Sequence, residues 1–181
     1  MDAGVIASVI AATLNAGTPL LIAAIGILIH EKSGVLNLGV EGMMLMGAVT
    51  GFGVTYATGS FALGFLAGAL AGLVMAALFG FFTLGLYANQ YAAGLALSLF
   101  GAGLSAFVGQ PLQGMALPSR APTGIPGLEL IPFLGDAFFS SHSLVYLSLI
   151  GLAAVGWFLY KSRPGLMLRA VGESPSSAYA L

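Results

Sequence analysis

Polar side chains interrupt the apolar sequence most sharply at residues 31–48, which read EKSGVLNLGVEGMMLMGA. Within this stretch Asn37 offers an amide and Glu41 a carboxyl, and glycines flank both residues. Polar groups at membrane depth are costly and mark candidate functional sites. Non-helical backbone there is tolerated only against protein or a water-filled cavity. The stretch therefore indicates either a functional broken helix or an ordinary loop between two hydrophobic helices.

Asn89 and Gln90 form a second polar interruption, between two long apolar runs. One interpretation is a polar turn in which a side chain caps the following helix. The other is a pair of hydrogen-bonding amides at one end of a pore. The residue types favour the turn and leave both interpretations open.

Few residues could perform catalysis or bind a metal ion. The chain has no cysteine, so thiol catalysis, disulfides and Cys-based metal sites are excluded. His30 and His142 are far apart and lack the spacing of a zinc-binding helix. Between Met43 and Ser119 there is neither a charged residue nor a histidine. We therefore predict no catalytic residue and no metal site, and a membrane-embedded enzyme would have few candidates.

The composition is that of a membrane protein. Of the 181 residues, 59% are hydrophobic and 6% are charged, against about 25% charged in soluble domains. The uncharged run is far longer than the ~20 residues that one helix needs to cross a bilayer. The net charge of −1 argues against a nucleic-acid partner. We predict an all-α, polytopic membrane helical bundle.

About five membrane segments are expected within residues 1–160. The amino terminus lacks the positive region of a cleavable signal peptide, so residues 3–29 are predicted to be a retained helix. Residues 35–40 together with 43–56 predict a broken or re-entrant second helix. The remaining spans are expected at 61–88, 91–108 and 144–160.

Small residues recur every fourth position in two of these segments, and this spacing is typical of close helix packing in lipid. One stripe comprises Gly64, Gly68, Gly72, Ala76 and Gly80. The second comprises Gly94, Ser98, Ala102 and Ala106.

The distribution of charge and proline predicts the orientation in the membrane. Residues 110–142 carry five prolines and are expected to form an external loop, with a short interfacial helix around 133–139. Lys161, Arg163 and Arg169 are three of the five basic residues, so residues 161–181 are predicted to be cytoplasmic. Counting back places the Asn89–Gln90 turn on the cytoplasmic side.

Two blocks together resemble the inner-membrane permease subunits of bacterial ABC importers, in the branch that moves nucleosides and simple sugars. The first is residues 31–48, and the second is residues 165–175, which read GLMLRAVGESP. Asn89–Gln90 followed by GLAL is similar to a third segment of these permeases, although Ser98 stands where an asparagine is often seen. Branched-chain amino acid permeases are related but differ around Asn37 and Glu41.

The resemblance implies a multi-pass protein of the inner membrane that has no chemistry of its own. It implies an ATP-binding subunit that holds ATP and Mg²⁺, a second identical or different permease subunit, and an extracytoplasmic substrate-binding protein. Residues 161–181 would be a cytoplasmic coupling loop, contacting the ATPase through Gly165, Arg169, Ala170, Gly172, Glu173 and Pro175. Four polar residues would line the pathway or support the broken helix: Asn37, Glu41, Asn89 and Gln90.

Family permeases continue through more helices after the coupling loop, so the resemblance implies a fragment or a truncated permease. A branched-chain amino acid permease is the nearest alternative, followed by a passive channel and a secondary transporter. A secondary transporter would need coupling-ion ligands and usually an internal repeat, and no convincing repeat is present. Dependence of uptake on ATP separates an importer from the last two classes.

Overall fold

The computed structural model describes residues 3–117 and 143–174, together with 176 and 178. Six α-helices dominate these ranges: α1 Ala3–Lys32, α2 Val40–Thr58, α3 Phe61–Gly80, α4 Gln90–Gly109, α5 Ser143–Lys161 and α6 Arg163–Glu173. A π-helical turn, Phe81–Gly85, extends α3, and a 3₁₀ turn, Gln110–Leu112, follows α4. The described residues include no strand. The all-α prediction is confirmed.

Four described segments are long and apolar enough to cross a membrane: Gly4–Lys32, Phe61–Gly85, Gln90–Leu112 and Ser143–Lys161. α2 is not one of these four segments, although its 19 residues, as many as in Ser143–Lys161, rise about 28 Å at 1.5 Å per residue. The backbone is non-helical from residue 35 to residue 39, immediately before α2. The prediction of a polytopic membrane bundle is therefore confirmed, and residues 35–39, which were predicted to belong to a broken or re-entrant second helix, are non-helical. Residues 118–142, which include the predicted interfacial helix and most of the predicted external loop, lie outside the described residues.

The chain divides into two compact units. The central unit is Val35–Pro118 and contains α2, α3 and α4. The terminal unit combines Met1–Gly34 with Ser119–Leu181, and its described helices are α1, α5 and α6.

In the central unit, α2 and α3 pack through glycines. A Cβ atom added to Gly64 would lie 2.7 Å from the Gly51 carbonyl oxygen, and one on Gly68 would lie 2.8 Å from that of Gly47. Such contacts allow two helix backbones to approach closely without lipid between them. Two later glycines of the α3 stripe have open space around the added Cβ, at Gly72 and Gly80. The predicted packing stripe is thus confirmed for its first two glycines.

The buried core of the central unit is small and apolar. Met75, Phe79 and Leu97 form its centre, and the surrounding apolar side chains are partly buried. Many large apolar side chains point outward, as Leu99 does with 76% of its surface exposed. This distribution is expected of a protein surrounded by lipid. Apolar side chains that face lipid are not exposed to water, so no hydrophobic driving force buries them inside the protein.

In the terminal unit, a tight turn joins α5 to α6. Ser162 caps α6, since its hydroxyl oxygen accepts a hydrogen bond from the Gly165 N–H at 3.1 Å. Pro164 lies in the first turn, where its missing N–H costs nothing. Gly165 packs directly on the Phe158 carbonyl, so no side chain fits there. Residues 163–173, within the segment expected to be a coupling loop, are therefore helical, because this serine and proline start a helix.

Candidate functional site

The candidate site is built around residues 35–39, which we call the broken segment. Gly34 precedes it with φ +81°, a left-handed conformation that glycine adopts without steric cost. Gly39 ends the segment as the N-cap of α2 and has no side chain to cap the helix. Seven residues separate α1 from α2, and the backbone of the five in this segment needs hydrogen-bond partners from elsewhere.

Asn37 supplies one of these partners from within the broken segment. Its side-chain oxygen accepts a hydrogen bond from the Gly39 N–H at 2.8 Å, and its amide nitrogen lies 3.8 Å from the Met43 sulfur. Only 6% of Asn37 is exposed. An asparagine that bonds the backbone two residues ahead makes a side-chain turn. This turn leads the chain into the first residues of α2.

α4 supplies two more partners through Gln90 and Ser98. The Gln90 side-chain oxygen accepts a hydrogen bond from the Leu36 N–H at 2.9 Å. The Ser98 hydroxyl donates to the Leu38 carbonyl oxygen at 2.8 Å. Gln90 and Ser98 are eight residues apart on α4, and positions four apart share one helix face. Two side chains about two helical turns apart on this face therefore bond the main chain of the broken segment.

Gly94 lies between Gln90 and Ser98 on the same face, and we call these three residues the α4 seam. A Cβ atom on Gly94 would come within 2.8 Å of the Leu38 nitrogen. Close contact continues one turn later, where a Cβ on Gly101 would lie 2.5 Å from the Gly42 Cα. The broken segment and the start of α2 thus pack on α4 with no room for a side chain between the backbones.

Glu41 occupies a different environment. It is exposed and lies in the first turn of α2, where a negative charge interacts favourably with the helix dipole. Glu41 is one of the four residues expected to line the pathway or support the broken helix. In the described structure the Gly39 N–H bonds the Asn37 amide oxygen.

Asn89 is the N-cap of α4. Its side-chain oxygen accepts hydrogen bonds from the N–H groups of Tyr91 and Ala92 at 3.0 and 3.2 Å. The two amides that were adjacent in sequence therefore have different tasks, since Asn89 caps its own helix and Gln90 reaches another segment. Asn89 also lines a cavity of about 500 Å³ between α3 and α4, whose other lining residues are alanine, leucine and phenylalanine.

α6 contains five of the six residues predicted to contact an ATPase, and Pro175 lies outside the described residues. Gly165 and Gly172 face inward. A Cβ atom on Gly172 would lie 2.8 Å from the Gly34 nitrogen at the end of α1. Ala170 faces outward among three exposed apolar side chains, Leu166, Met167 and Val171. α6 is therefore fixed on one side and presents an apolar surface on the other.

Arg169 joins α6 to α5 and pairs with Glu173. Its guanidinium carbon lies 4.6 Å from the centre of the Tyr160 ring, a cation–π contact. One guanidinium nitrogen is 3.6 Å from a Glu173 carboxylate oxygen, and 75% of the Glu173 side chain is exposed. The buried Nε of Arg169 has no hydrogen-bond partner among the described residues. The predicted coupling arginine thus has a clear structural contact, whereas Glu173 extends into solvent.

The sequence placed Ser98 on a packing stripe but predicted no hydrogen bond from its hydroxyl group. A signal was present, because Gln90, Gly94 and Ser98 follow one another at intervals of four and combine polar and small side chains. The partners of this face are 54 and 60 residues away, so the spacing alone could not reveal them.

The sequence is similar to a known protein family and to several named transport proteins. The family model described as the branched-chain amino acid transport system / permease component matches residues 9–181. A putative glucose ABC transporter permease of Haloferax volcanii is 42% identical over 95% of this chain and 54% of its own length. No solved structure matches the chain.

Two bacterial relatives have names that specify nucleosides. A guanosine ABC transporter permease of Bacillus subtilis is 33% identical over 96% of this chain and 58% of its own length. A nucleoside ABC transporter permease of Lactococcus lactis subsp. cremoris is 35% identical over the same shares. The chain therefore spans somewhat more than half the length of these relatives. Because the family model covers nearly every residue, the chain belongs to the branched-chain amino acid transport system / permease component family of ABC transporter permeases.

Proposed function

We propose that this chain forms part of the pathway of an ATP-driven importer that moves nucleosides or simple sugars across the cytoplasmic membrane. The observation that carries the proposal is the two-sided α6. Its inner face is locked to α5 and α1, and its outer face exposes Leu166, Met167 and Val171. An exposed apolar face on a short helix outside the spans is suited to docking another protein.

The substrate class follows from the relatives. Their names specify glucose, guanosine and nucleosides, whereas the family description specifies branched-chain amino acids. All three relatives support sugars and nucleosides over amino acids for this chain. Selection among them would rest largely on an external binding protein that delivers the substrate.

The partners carry the chemistry in this proposal. An ATP-binding subunit holds ATP and Mg²⁺, hydrolyses the nucleotide and moves, and the permease has no catalytic residue or cofactor. A second permease subunit, identical or different, completes the pathway, and lipid surrounds the bundle. Membership in a family of ABC transporter permeases supports this assembly over a passive channel or a secondary transporter.

Motion of the ATP-binding subunit would enter through α6. Gly172 contacts the backbone of Lys32–Gly34, so displacement of α6 pushes on the end of α1. α1 continues along the chain into the broken segment. Because α6 contacts the end of α1, it can transmit movement to this membrane helix without any chemistry of its own.

Substitution of the exposed apolar face tests the docking step. We expect Met167→Asp to reduce co-purification of a co-expressed ATP-binding subunit at least about tenfold, because a charge replaces a desolvated apolar contact. Met167 is 70% exposed, so the change leaves the fold intact. Met167→Leu retains an apolar side chain and should retain binding.

Met115→Asp is the matched control. Met115 is also exposed, but it follows α4 at the end predicted to be external. Equal loss of binding in Met115→Asp and Met167→Asp would contradict docking through α6. Full binding by Met167→Asp would contradict it as well.

A further inference from the structure

We propose that Gln90 and Ser98 are positioning residues that hold the broken segment to α4, so that the segment and α4 move together during transport. The inference rests on the proposed function and adds a mechanical task for two residues of α4. In this proposal Gln90 bonds the main chain of the broken segment and does not bind the substrate.

The first argument is the nature of the bonded groups. Gln90 accepts from the Leu36 N–H, and Ser98 donates to the Leu38 carbonyl. Both are backbone groups that a continuous helix would have satisfied internally. Where the chain leaves the helix, such groups need partners from elsewhere, and here two side chains of α4 provide them. Two side chains with opposite hydrogen-bonding roles thus satisfy two backbone groups of the broken segment.

The second argument is the closeness of the backbones. Gly94 brings α4 against Leu38 between the two hydrogen bonds, and a Cβ there would lie 2.8 Å from the Leu38 nitrogen. A Cβ on Gly39 would lie 3.0 Å from a Leu97 methyl group. The backbones are in close contact and two side-chain hydrogen bonds join them. α4 therefore cannot slide along the broken segment without breaking both hydrogen bonds.

The third argument concerns the alternative role in substrate binding. The side-chain oxygen of Gln90 and the hydroxyl hydrogen of Ser98 are both engaged by main chain. The cavity beside this part of α4 is lined by apolar residues except for Asn89, and Asn89 caps the helix. A sugar or nucleoside needs several polar partners to replace its water. These contacts therefore favour a role for Gln90 and Ser98 in positioning the broken segment over a role in substrate binding.

Hydrogen exchange tests the hold without any transport assay. In Gln90→Leu, we expect the Leu36 amide to exchange about tenfold faster, because one hydrogen bond is lost. Gln90→Glu retains a side-chain acceptor and should restore slow exchange. Gln110→Leu makes the same substitution at the other end of α4 and should leave the Leu36 amide unchanged.

Import per ATP hydrolysed tests the mechanical role. We expect Ser98→Ala and Gln90→Leu each to lower this ratio about fivefold, the effect of one hydrogen bond of ordinary strength. Co-purification of the ATP-binding subunit should stay unchanged. Ser98→Thr retains a hydroxyl and should restore the ratio. Ser105→Ala is the matched control, since the Ser105 hydroxyl bonds Ala102 within its own helix.

An unchanged hydrogen-exchange rate of the Leu36 amide in Gln90→Leu would overturn the proposal that Gln90 holds the broken segment to α4. A parallel loss of folded protein, ATPase association and import in Ser98→Ala and Gln90→Leu, with no change in import per ATP, would show a purely structural role and overturn the mechanical one. Wild-type protein that imports nothing with ATP would refute the proposed function instead. The exchange measurement would then still decide whether Gln90 holds the segment.

Discussion

Asn37 makes the turn that starts α2, and its environment explains why an amide is needed there. The buried side chain at this position accepts a hydrogen bond from the Gly39 N–H through its oxygen, and its N–H₂ group donates to the Met43 sulfur at 3.8 Å. A carboxylate would accept the same hydrogen bond but would bring a charge into a site that is 6% exposed. A neutral amide meets both conditions.

Removal of the Asn37 amide should destabilise the protein. Asn37→Ala leaves the Gly39 N–H without its partner in a buried position, and we expect a loss of about 1–3 kcal/mol in the free energy of unfolding. Thermal unfolding in detergent measures the effect. Glu41→Gln is the control in the same region, because Glu41 is exposed and its substitution should change the unfolding temperature little. Equal stability of Asn37→Ala and wild type would contradict the structural role of this amide.

The sequence predicted Asn37 and Gln90 as candidates because amides are rare within apolar runs. It could not assign their partners, since a side-chain amide bonds equally well to a neighbour, a distant backbone or a ligand. Ser98 was harder to recognise, because a serine in a membrane helix commonly bonds a carbonyl of its own helix. Ser105 and Ser148 do this here, and only the three-dimensional arrangement distinguishes Ser98 from them.

At the scale of elements, α4 is organised by the alternation of polar and small residues on one face. Gln90 and Ser98 bond the broken segment, while Gly94 and Gly101 remove the side chains that would separate the backbones. The spacing of four predicted this packing face, because that spacing aligns residues on a helix. It did not predict that the facing element would be non-helical, because the same face could pack against a regular helix.

Gly94 should tolerate no side chain, in contrast to a glycine elsewhere on α4. In Gly94→Ala the new Cβ would lie 2.8 Å from the Leu38 nitrogen, so we expect a loss of about 1–3 kcal/mol in stability from overpacking. Gly103 has nothing within 4 Å of an added Cβ, and Gly103→Ala should stabilise the helix by up to about 1 kcal/mol. Thermal unfolding of the two variants measures the difference. A stability loss of equal size in both would argue against the close contact at Gly94.

α6 illustrates an element that sequence analysis treated too simply. Ser162 followed by Pro164 is a helix-start signal, and it lies in the segment that the family resemblance assigned to a cytoplasmic coupling loop. The helix forms because its N-cap is satisfied and because Gly165 and Gly172 allow close packing on one side. The apolar residues on the opposite side could be assigned to an outer face only once the inner face was known.

At the scale of the whole molecule, apolar runs fix the class of protein because a bilayer needs about 20 residues per helix. The length and apolar character of four described segments meet that requirement. The exposure of large apolar side chains in both units, such as Phe107 at 70% and Ile150 at 66%, is explained by lipid or by further protein around the bundle. The sequence could predict these spans without knowing how the helices pair.

The orientation in the membrane can be tested directly, because the chain has no native cysteine. The positive-inside rule puts the start of α4 inside and the start of α3 outside. We expect Thr58→Cys to react with an impermeant maleimide on intact cells. Tyr87→Cys, at a residue that is 88% exposed, should react only after the cells are permeabilised. The reverse labelling pattern would refute the predicted orientation.

The most direct test of the central claim is substrate uptake into proteoliposomes that contain this chain, an ATP-binding subunit and a substrate-binding protein. The account predicts that labelled guanosine or glucose accumulates only when ATP is present on the side of the membrane that carries the ATP-binding subunit. Leucine should not accumulate. Uptake that proceeds without ATP, or that follows an ion gradient, would contradict an ATP-driven importer. ATP-driven uptake of leucine alone would retain the importer and contradict the assigned substrate class.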